Sequence, residues 1–450
     1  MRHWTQSSTF YHIYPLGFCD APLENRGDET QGNHLGRVSL WLDAIQELGC
    51  DAIYFGPLFQ SFRHGYDTSD YYQVDSRLGT NEDFAKLSEE IHHRGMRIVL
   101  DGVFNHVGRG FWAFRDLQQN GQRSNYRDWF VAVDFSRSSP KGDAFDYATW
   151  EGHYSLPKLN LHHLDVRQHL FDAVKMWMRE FNIDGLRLDA ADCVEPFFWK
   201  ELRSVTKAEN QDFWLMGEII HGDYRGWAND EMFDSVTNYT AYKGLWSSLN
   251  DANFFEIAYT LDQQFDLHSG KLSHLWLYNF VDNHDVSRVA SLIRHPALLF
   301  PLYLMLFTIP GIPSIYYGSE FGVQGRKEDG DFALRRAYDL MELQHRNSSL
   351  RDAIQRISAI RKASPALQSG VYQKLLVKPQ QFVYLRRSQE ETIVVLLNAS
   401  TETAAVNFPV PASSSGEVWD ILNEEELPPI QQGEMACEIP PTWGRIMRLR

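Results

Sequence analysis

Short apolar runs alternate with longer amphipathic helical patterns along most of the chain, and this alternation restricts the fold more than any other feature. Strands that alternate with helices are typical of parallel sheets, because a helix carries the chain back to the start of the next strand. The strand-like runs lie at residues 10–18, 52–57, 97–105, 185–190, 214–219, 235–239, 277–283 and 313–318. These eight runs predict a (β/α)8 barrel of parallel strands. A doubly wound open sheet is the competing layout, but it would not need eight units, and no glycine-rich dinucleotide fingerprint follows the first run.

One connection in this pattern is too long for an ordinary loop. After Asn105 the next clear helical pattern begins near Val166, so roughly sixty residues intervene where a few would suffice. We therefore expect a small inserted domain at residues 106–160. It would follow the third strand of a barrel that comprises residues 1–105 and 161–370.

The pattern changes again in the last part of the chain. From residue 371 to residue 450, short alternating strands such as 382–386 and 392–397 replace the strand–helix units. Proline and serine punctuate these strands, as at residues 411–416. This pattern predicts a C-terminal antiparallel β-sandwich.

The bulk properties exclude several classes of function. The formal net charge is −16, and such an acidic chain lacks the basic patches that nucleic acids and anionic membranes require. The four cysteines are dispersed, which argues against a metal knuckle or redox pair and fits a reducing compartment. The N-terminus lacks the apolar stretch of a signal peptide, and the apolar run at residues 297–310 is too short to span a bilayer. We interpret that run as a buried helix and expect a cytoplasmic protein.

Polar residues that suit acid–base chemistry lie at the ends of four predicted strands. The carboxyl ends of barrel strands meet on one rim, so these side chains are expected to share a pocket although they are far apart in sequence. A single Asp at a strand end more often caps a helix, but four such segments together favour catalysis. The segments are Asp101-Gly-Val-Phe-Asn105-His106, Gly185-Leu-Arg187-Leu-Asp189, Gly217-Glu218 and Asn283-His284-Asp285.

Carboxylates in this number suit the hydrolysis of a glycosidic bond. That reaction needs one carboxylate at the anomeric carbon and one protonated acid for the leaving oxygen, and a third can stabilise an oxocarbenium-like state. Arg187 and Asp189 lie two residues apart in a predicted strand and therefore point to the same side. We expect the guanidinium to keep Asp189 ionised, as a nucleophile requires. Glu218 must instead be protonated at the working pH.

The four segments resemble the sequence regions of glycoside hydrolase family 13, the α-amylase family, and the resemblance extends over essentially the whole chain. It implies that Asp189 is the nucleophile, Glu218 the general acid/base and Asp285 the transition-state stabiliser. It also implies a set of residues that contact the sugar in the reactive subsite, namely Tyr66, His106, Arg187 and His284. By the same resemblance, the supporting residues of the pocket are Asp67, Asp101 and Asn105. The resemblance places Tyr66 in a stack with the sugar and Asp67 near Arg187.

The segment Leu156-Pro-Lys158-Leu-Asn160 is similar to the fifth region of the neopullulanase and cyclomaltodextrinase branch of that family. The branch acts on maltooligosaccharides, cyclodextrins and pullulan. Many α-amylases carry a calcium-binding Asp where this chain has Lys158, and an ammonium group cannot ligate calcium although it can replace its charge. We expect no calcium at this family site, with calcium bound by other ligands as the alternative, and no required cofactor. Arg288 is expected either to bind a sugar or to form an ion pair.

Together these features predict a retaining α-glucan hydrolase that cleaves α-1,4-glucosidic links of maltooligosaccharides or related short α-glucans through a covalent glycosyl-enzyme. A 4-α-glucanotransferase with the same residues is the second hypothesis, because the two activities differ in whether water or a sugar hydroxyl attacks that intermediate. A carbohydrate-binding homologue without activity is the third, and the presence of all three carboxylates speaks against it. The expected partner is an α-glucan substrate, and the sequence leaves the oligomeric state open.

Overall fold

The centre of the molecule is a closed ring of parallel strands. The computed structural model describes residues 3–27, 32–346, 348–410 and 417–449. The ring consists of β1 (Phe10–Ile13), β2 (Ala52–Phe55), β3 (Arg97–Gly102), β4 (Gly185–Leu188), β5 (Trp214–Gly217), β6 (Ser235–Val236), β7 (Tyr278–Asn279) and β8 (Ile312–Tyr316). The hydrogen-bonded order is β6-β5-β4-β3-β2-β1-β8-β7, and a parallel bridge between Thr237 and Tyr278 joins the two ends. The predicted (β/α)8 barrel is therefore confirmed, and the open sheet is wrong.

Burial on both faces explains why the barrel strands read as continuous apolar runs. Every residue of β1, β2, β4 and β5 is buried, as in other parallel sheets that helices cover. All eight strands are shorter than the sequence runs that predicted them. The run at residues 10–18 leaves the sheet after Ile13, because Pro15 has no amide to donate and instead begins a short helix.

Helices alternate with these strands along the chain. The α-helices are Pro15–Phe18, Gly36–Ser39, Leu42–Glu47, Asn81–His93, Trp112–Asn120, Leu164–Glu180, Pro196–Glu209, Tyr239–Asn250, Phe254–Phe265, Val289–Leu292, Leu299–Thr308, Asp331–Leu334, Leu340–Arg346, Ser349–Ala363 and Pro365–Ser369. The apolar run at residues 297–310 forms the helix Leu299–Thr308, which is buried along nearly its whole length, as predicted. Among the described residues, none of the helices combines the length and the apolar character that crossing a bilayer requires.

The chain between β3 and the helix Leu164–Glu180 forms a small structure of its own. It contains the helix Trp112–Asn120 and a hairpin of the strands Thr149–Trp150 and His153–Pro157. Aromatic rings pack against one another inside it, namely Phe114, Phe130, Phe145 and Tyr147. This segment corresponds to the long connection in the sequence, and its limits at residues 106 and 160 stay a prediction.

The C-terminal part of the chain is antiparallel, as predicted. Six strands form one sheet in the order Val371–Val377, Gln381–Arg387, Thr392–Asn398, Trp443–Leu449, Val418–Asp420 and Glu425–Leu427. A second sheet pairs Ala404–Pro409 with Glu434–Ile439, and a separate apolar core that includes Val394 and Met435 draws on both sheets. The predicted turn at residues 411–416 lies outside the described residues.

Gly444 lies where the C-terminal sheet packs on the barrel helix Leu299–Thr308. A Cβ atom added at Gly444 would stand 2.2 Å from the carbonyl oxygen of Leu396 and 2.4 Å from Cδ2 of Leu304. We expect Gly444→Ala to lower the free energy of unfolding by about 1–3 kcal/mol, because both neighbours must move. Urea-induced unfolding followed by circular dichroism measures this change.

The matched control for this prediction is Gly226→Ala. Among the described residues, no neighbouring atom lies within 4 Å of the position that its Cβ would take. The free energy of unfolding of the control variant is expected to differ from that of the unmodified protein by no more than about 0.5 kcal/mol. Equal stability of the two alanine variants would contradict the packing described at Gly444.

Candidate active site

Arg187 lies at the centre of a buried cluster of carboxylates on the carboxyl-terminal rim of the barrel. Its Nη1 atom is 2.9 Å from Oδ1 of Asp101 and 2.8 Å from Oδ1 of Asp189. Its Nη2 atom is 2.6 Å from Oε1 of Glu218. All four side chains are buried. One guanidinium therefore holds carboxylates from three neighbouring strands in a single pocket.

The register of the strands explains this convergence. Asp101 and Arg187 are directly paired residues of β3 and β4, while Asp189 follows β4 and Glu218 follows β5. Ala190 then adopts a left-handed conformation with a φ of 45°, and its backbone amide donates a hydrogen bond of 3.1 Å to Oε2 of Glu218. Such a conformation costs a non-glycine residue about 1–2 kcal/mol. The strained turn after Asp189 thus fixes the second oxygen of Glu218.

The ionisation of Asp189 differs from the sequence-based expectation. Burial raises the pKa of Asp189 well above its usual range, with Arg187 opposing this rise and Glu218 and Asp101 adding to it. This direction is opposite to the expectation that the guanidinium of Arg187 keeps Asp189 ionised, because that guanidinium is divided among three carboxylates. Glu218 therefore lies close enough to oppose a negative charge on Asp189.

Asp285 lies in the loop that follows β7, where two basic side chains contact its carboxylate. Its Oδ2 atom is 2.8 Å from Nε2 of His284, and its Oδ1 atom is 2.9 Å from Nη2 of Arg335. Burial would raise the pKa of Asp285, but the charge and hydrogen bond of His284, together with Arg335, hold it well below its usual range. Asp285 is therefore an anion at neutral pH.

The loop that carries Asp285 extends beyond the strand end where the sequence placed it. The strand β7 stops at Asn279, and the side chain of Asn283 then accepts hydrogen bonds from the backbone amides of Asp285 (2.8 Å) and Val286 (3.2 Å). An asparagine that bonds the chain ahead of it forms a turn and competes with strand pairing. This turn presents Asp285 to the pocket.

Tyr66 and His284 form a stacked pair next to the cluster. Their ring centroids are 5.5 Å apart with an angle of 14° between the planes. The hydroxyl of Tyr66 donates to Oδ2 of Asp101 at 2.9 Å and contacts Nε2 of His284. An aromatic ring therefore stands beside the carboxylates, where a sugar ring can pack on it.

Asp67 supports the loop that carries Tyr66. Its two carboxylate oxygens accept hydrogen bonds from the backbone amides of Arg63 at 2.9 Å and His64 at 3.1 Å. Both oxygens are therefore used within the loop, and Asp67 acts on the site through Tyr66 rather than through Arg187.

Similarity to known proteins decides the family. The family model described as alpha amylase, catalytic domain, matches residues 12–368. The chain belongs to the α-amylase family. A second model, described as maltogenic amylase, C-terminal domain, matches residues 373–445 of this family member. The chain is therefore a glycoside hydrolase of family 13 that acts on α-glucans.

Several known members resemble this α-amylase family enzyme over most of its length. A cyclomaltodextrinase from Bacillus sp is 33% identical over 420 residues, which cover 88% of this chain and 73% of the relative. Neopullulanase 2 from Thermoactinomyces vulgaris is 32% identical over 471 residues, which cover 99% of this chain and 78% of the relative. The ligand-free structure of cyclic alpha-maltosyl-(1→6)-maltose hydrolase from Arthrobacter globiformis matches with a TM-score of 0.84 and 27% identity, covering 100% of both chains.

His106 is a buried residue of this enzyme that follows β3. Its side chain is buried, and its Nδ1 atom is 3.2 Å from the side-chain nitrogen of Asn105. Burial lowers the pKa of His106 to about 3, so its ring is neutral. Within the described residues, Nε2 of His106 has no hydrogen-bond partner.

The sequence resemblance predicts that Lys158 replaces a calcium ligand of the family. Its Nζ atom is 3.4 Å from the carbonyl oxygen of Cys193, and its backbone pairs with that of His106. An ammonium group at this oxygen repels a second cation, so the groups present do not fit calcium. The absence of calcium from this site stays a prediction, and no step of the reaction is assigned to a metal.

Arg288 belongs to the core. It is fully buried and donates hydrogen bonds of 2.7 Å to the carbonyl oxygens of Leu334 and Tyr317. Its guanidinium carbon lies 3.8 Å from the centroid of the Tyr316 ring. Both expected roles are wrong, because carbonyl oxygens and aromatic faces use the donors that a sugar or a carboxylate would need.

Two residues of the site were not identified from the sequence. Arg335 donates to Asp285 and also to the backbone oxygen of His284 at 3.0 Å, but it follows a short helix far along the chain and no strand end marks it. The hydroxyl of Tyr239 donates to Oε1 of Glu218 at 3.4 Å and accepts from the side chain of Asn283 at 3.2 Å. Tyr239 is the last residue of the strand-like run at residues 235–239, so its position at a predicted strand end could have identified it.

We expect Tyr239→Phe to lower kcat about three- to tenfold and to leave KM nearly unchanged, because it removes one hydrogen bond to Glu218 and keeps the ring. Steady-state kinetics with a maltooligosaccharide measure both constants. The control is Tyr259→Phe, since Tyr259 is 67% exposed on a neighbouring helix. Unchanged kcat in the Tyr239 variant would show that this hydroxyl does not act on Glu218.

Proposed function

We propose that this enzyme is a retaining hydrolase of α-1,4-glucosidic links in short maltooligosaccharides. The observation that carries the proposal is the shared guanidinium of Arg187, which bonds Asp189 at 2.8 Å and Glu218 at 2.6 Å. Retaining glycosidases hold their two carboxyl groups roughly 5–5.5 Å apart, whereas inverting enzymes leave room for a water between them. Two carboxylates on one guanidinium favour the shorter spacing.

In the first half-reaction, Asp189 attacks the anomeric carbon while Glu218 gives its proton to the glycosidic oxygen. A carbon–oxygen bond forms to Asp189, the glycosidic carbon–oxygen bond breaks, and the released chain leaves with a new hydroxyl. This step requires that Glu218 carries a proton and that Asp189 carries none when the substrate is bound. Asp285, which stays anionic, stabilises the positive charge that develops on the sugar ring.

In the second half-reaction, Glu218 takes a proton from a water molecule, whose oxygen attacks the same carbon. The ester bond to Asp189 breaks, and Asp189 recovers its electron pair. Two displacements at one carbon restore the original α configuration. Arg187 and the backbone amide of Ala190 hold the carboxylates in place during both steps.

The neutral residues of the pocket suit the binding of sugar hydroxyl groups. Nε2 of His106 has no hydrogen-bond partner among the described residues, and the aromatic ring of Tyr66 lies beside the carboxylates. A pyranose ring presents hydroxyl groups at its edge and C–H groups on its faces, so it uses both features.

Product analysis tests this proposal. The relatives named cyclomaltodextrinase, neopullulanase and cyclic alpha-maltosyl-(1→6)-maltose hydrolase support short or cyclic α-glucans as substrates. The enzyme is incubated with maltotriose, maltoheptaose, cyclodextrin and pullulan, and the products are separated by chromatography. We expect glucose and maltose from the maltooligosaccharides. Products longer than the substrate would instead establish a 4-α-glucanotransferase, and the proposed hydrolysis would be wrong.

We also infer a cytoplasmic location. All four cysteines are free thiols, and they are Cys19, Cys50, Cys193 and Cys437. Chains that meet an oxidising compartment more often pair their cysteines. Fractionation of the native cells is expected to recover the enzyme with the cytosol, and its recovery from the culture medium would contradict this inference.

A further inference from the structure

A second cavity adjoins the catalytic pocket. It has a volume of about 810 Å³, within the roughly 300–1,000 Å³ that is usual for ligand sites. His64 and Asp67 line it, and Tyr66 lies between them in the sequence and bonds Asp101 in the catalytic cluster. The remaining walls come from the N-terminal segment and from the structure inserted after β3. The cavity and the catalytic cluster therefore share the loop that carries Tyr66.

The lining of this cavity has the opposite charge to the chain as a whole. The protein contains 43 Lys and Arg against 59 Asp and Glu, yet the lining residues that the structure describes include five cationic residues and one acidic residue. That acid, Asp67, uses both oxygens for backbone amides. The cationic residues are Arg26, Arg63, Arg109, Arg115 and Lys141.

Partner carboxylates neutralise only part of this positive charge. Arg109 lies 2.6 Å from Asp143, and Arg63 lies 3.6 Å from Glu24. In the part of the chain that the structure describes, no carboxylate lies within ion-pair distance of Arg115 or Lys141, and both side chains are exposed. These two cations are therefore free to meet a ligand.

A neutral sugar does not need unpaired cations, because hydroxyl groups are bound by neutral donors, acceptors and aromatic faces. A guanidinium and an ammonium that line one cavity instead match a phosphate group, which offers several strong acceptor oxygens. Phe62, which is 49% exposed in the same lining, offers a face for a sugar ring. The cavity thus combines the features that a phosphorylated sugar requires.

We propose that this cavity binds a phosphomonoester dianion carried on an α-glucan whose neighbouring units occupy the catalytic pocket. Free inorganic phosphate has the same chemistry, but it would leave most of the 810 Å³ unfilled. The position of the glucan in this inference rests on the proposed α-glucan hydrolysis. The binding of the anion rests only on the residues that line the cavity.

The kinetic test compares maltotetraose with two maltotetraose 6-phosphates, phosphorylated on the non-reducing or on the reducing terminal glucose. We expect kcat/KM to be about tenfold higher for one phosphorylated isomer at low salt, and the preference to shrink as salt screens the charges. Arg115→Ala combined with Lys141→Ala is expected to abolish the preference and to leave kcat/KM for plain maltotetraose unchanged. Arg115→Lys with Lys141→Arg is expected to keep it.

Arg123→Ala is the matched control, because Arg123 is an exposed arginine of the same inserted structure and does not line the cavity. It is expected to keep the preference. No preference in the unmodified enzyme would overturn the proposal. A preference that survives the double alanine variant, or one that Arg123→Ala also removes, would overturn the assignment to this cavity.

A binding measurement separates this inference from the proposed function. Calorimetry with Glu218→Gln reports affinity for the phosphorylated and plain maltotetraoses whether or not the enzyme hydrolyses them. Tighter binding of a phosphorylated isomer that depends on Arg115 and Lys141 supports the proposal. Inorganic phosphate could instead bind in a way that depends on Arg115 and Lys141, while the phosphorylated maltotetraoses bind no more tightly than plain maltotetraose. This result would support an anion site in the cavity but overturn the proposal that the anion is carried on a glucan.

Discussion

Replacing Asp189 with alanine is expected to lower kcat on maltooligosaccharides by about 10⁴-fold or more, because no other group can form the covalent bond to the sugar. Asp189 is buried, and the neighbouring carboxylates of Asp101 and Glu218 are held by the same guanidinium of Arg187. Steady-state release of reducing ends measures the effect. KM is expected to change far less, since His106, His284 and Tyr66 remain.

The control for this variant is Asp172→Ala. Asp172 is an exposed residue of the helix Leu164–Glu180, and its loss is expected to leave kcat within about twofold. Near-normal turnover by the Asp189 variant would contradict the proposed mechanism, because attack by Asp189 is the first step of that mechanism.

Replacing Arg187 with methionine is expected to lower the free energy of unfolding by about 3–5 kcal/mol and to abolish turnover. The change leaves Asp101, Asp189 and Glu218 in a buried site without the cation that all three share. Their mutual repulsion and lost solvation then oppose folding. Urea-induced unfolding at neutral pH measures the loss of stability.

Arg225→Met provides the comparison for Arg187. Arg225 pairs with Asp223 at 2.6 Å, a distance equal to that between Arg187 and Glu218, but both side chains are more than half exposed. Exposed ion pairs contribute about 0–1 kcal/mol, so this variant is expected to remain nearly as stable as the unmodified enzyme. Similar stability of the two methionine variants would show that burial does not decide the contribution of Arg187.

The barrel and the central carboxylates could be predicted because their signals are local. Strands that are buried on both faces produce continuous apolar runs, and the rule that strand ends meet on one rim places Asp101, Asp189 and Glu218 together. The spacing of Arg187 and Asp189 predicts a contact between them, and the structure has it at 2.8 Å. These inferences need no knowledge of the loops.

Long-range contacts explain what could not be predicted. Arg335 lies fifty residues after Asp285 in the sequence but donates a hydrogen bond to it. The sequence around Arg335 contains no motif that predicts this contact. The division of Arg187 among three carboxylates depends on the register of β3, β4 and β5, which the sequence does not specify. For that reason the sequence pointed to a firmly ionised Asp189, whereas burial raises the pKa of that residue.

Trapping the glycosyl-enzyme tests the central claim most directly. In the Glu218→Gln variant, α-maltosyl fluoride can still react with Asp189, because fluoride leaves without a proton, while the loss of the base slows hydrolysis of the ester. Mass spectrometry of the digested protein is predicted to find one maltosyl group on the peptide that contains Asp189. The absence of any adduct, or an adduct on a different carboxylate, would contradict a retaining mechanism through Asp189.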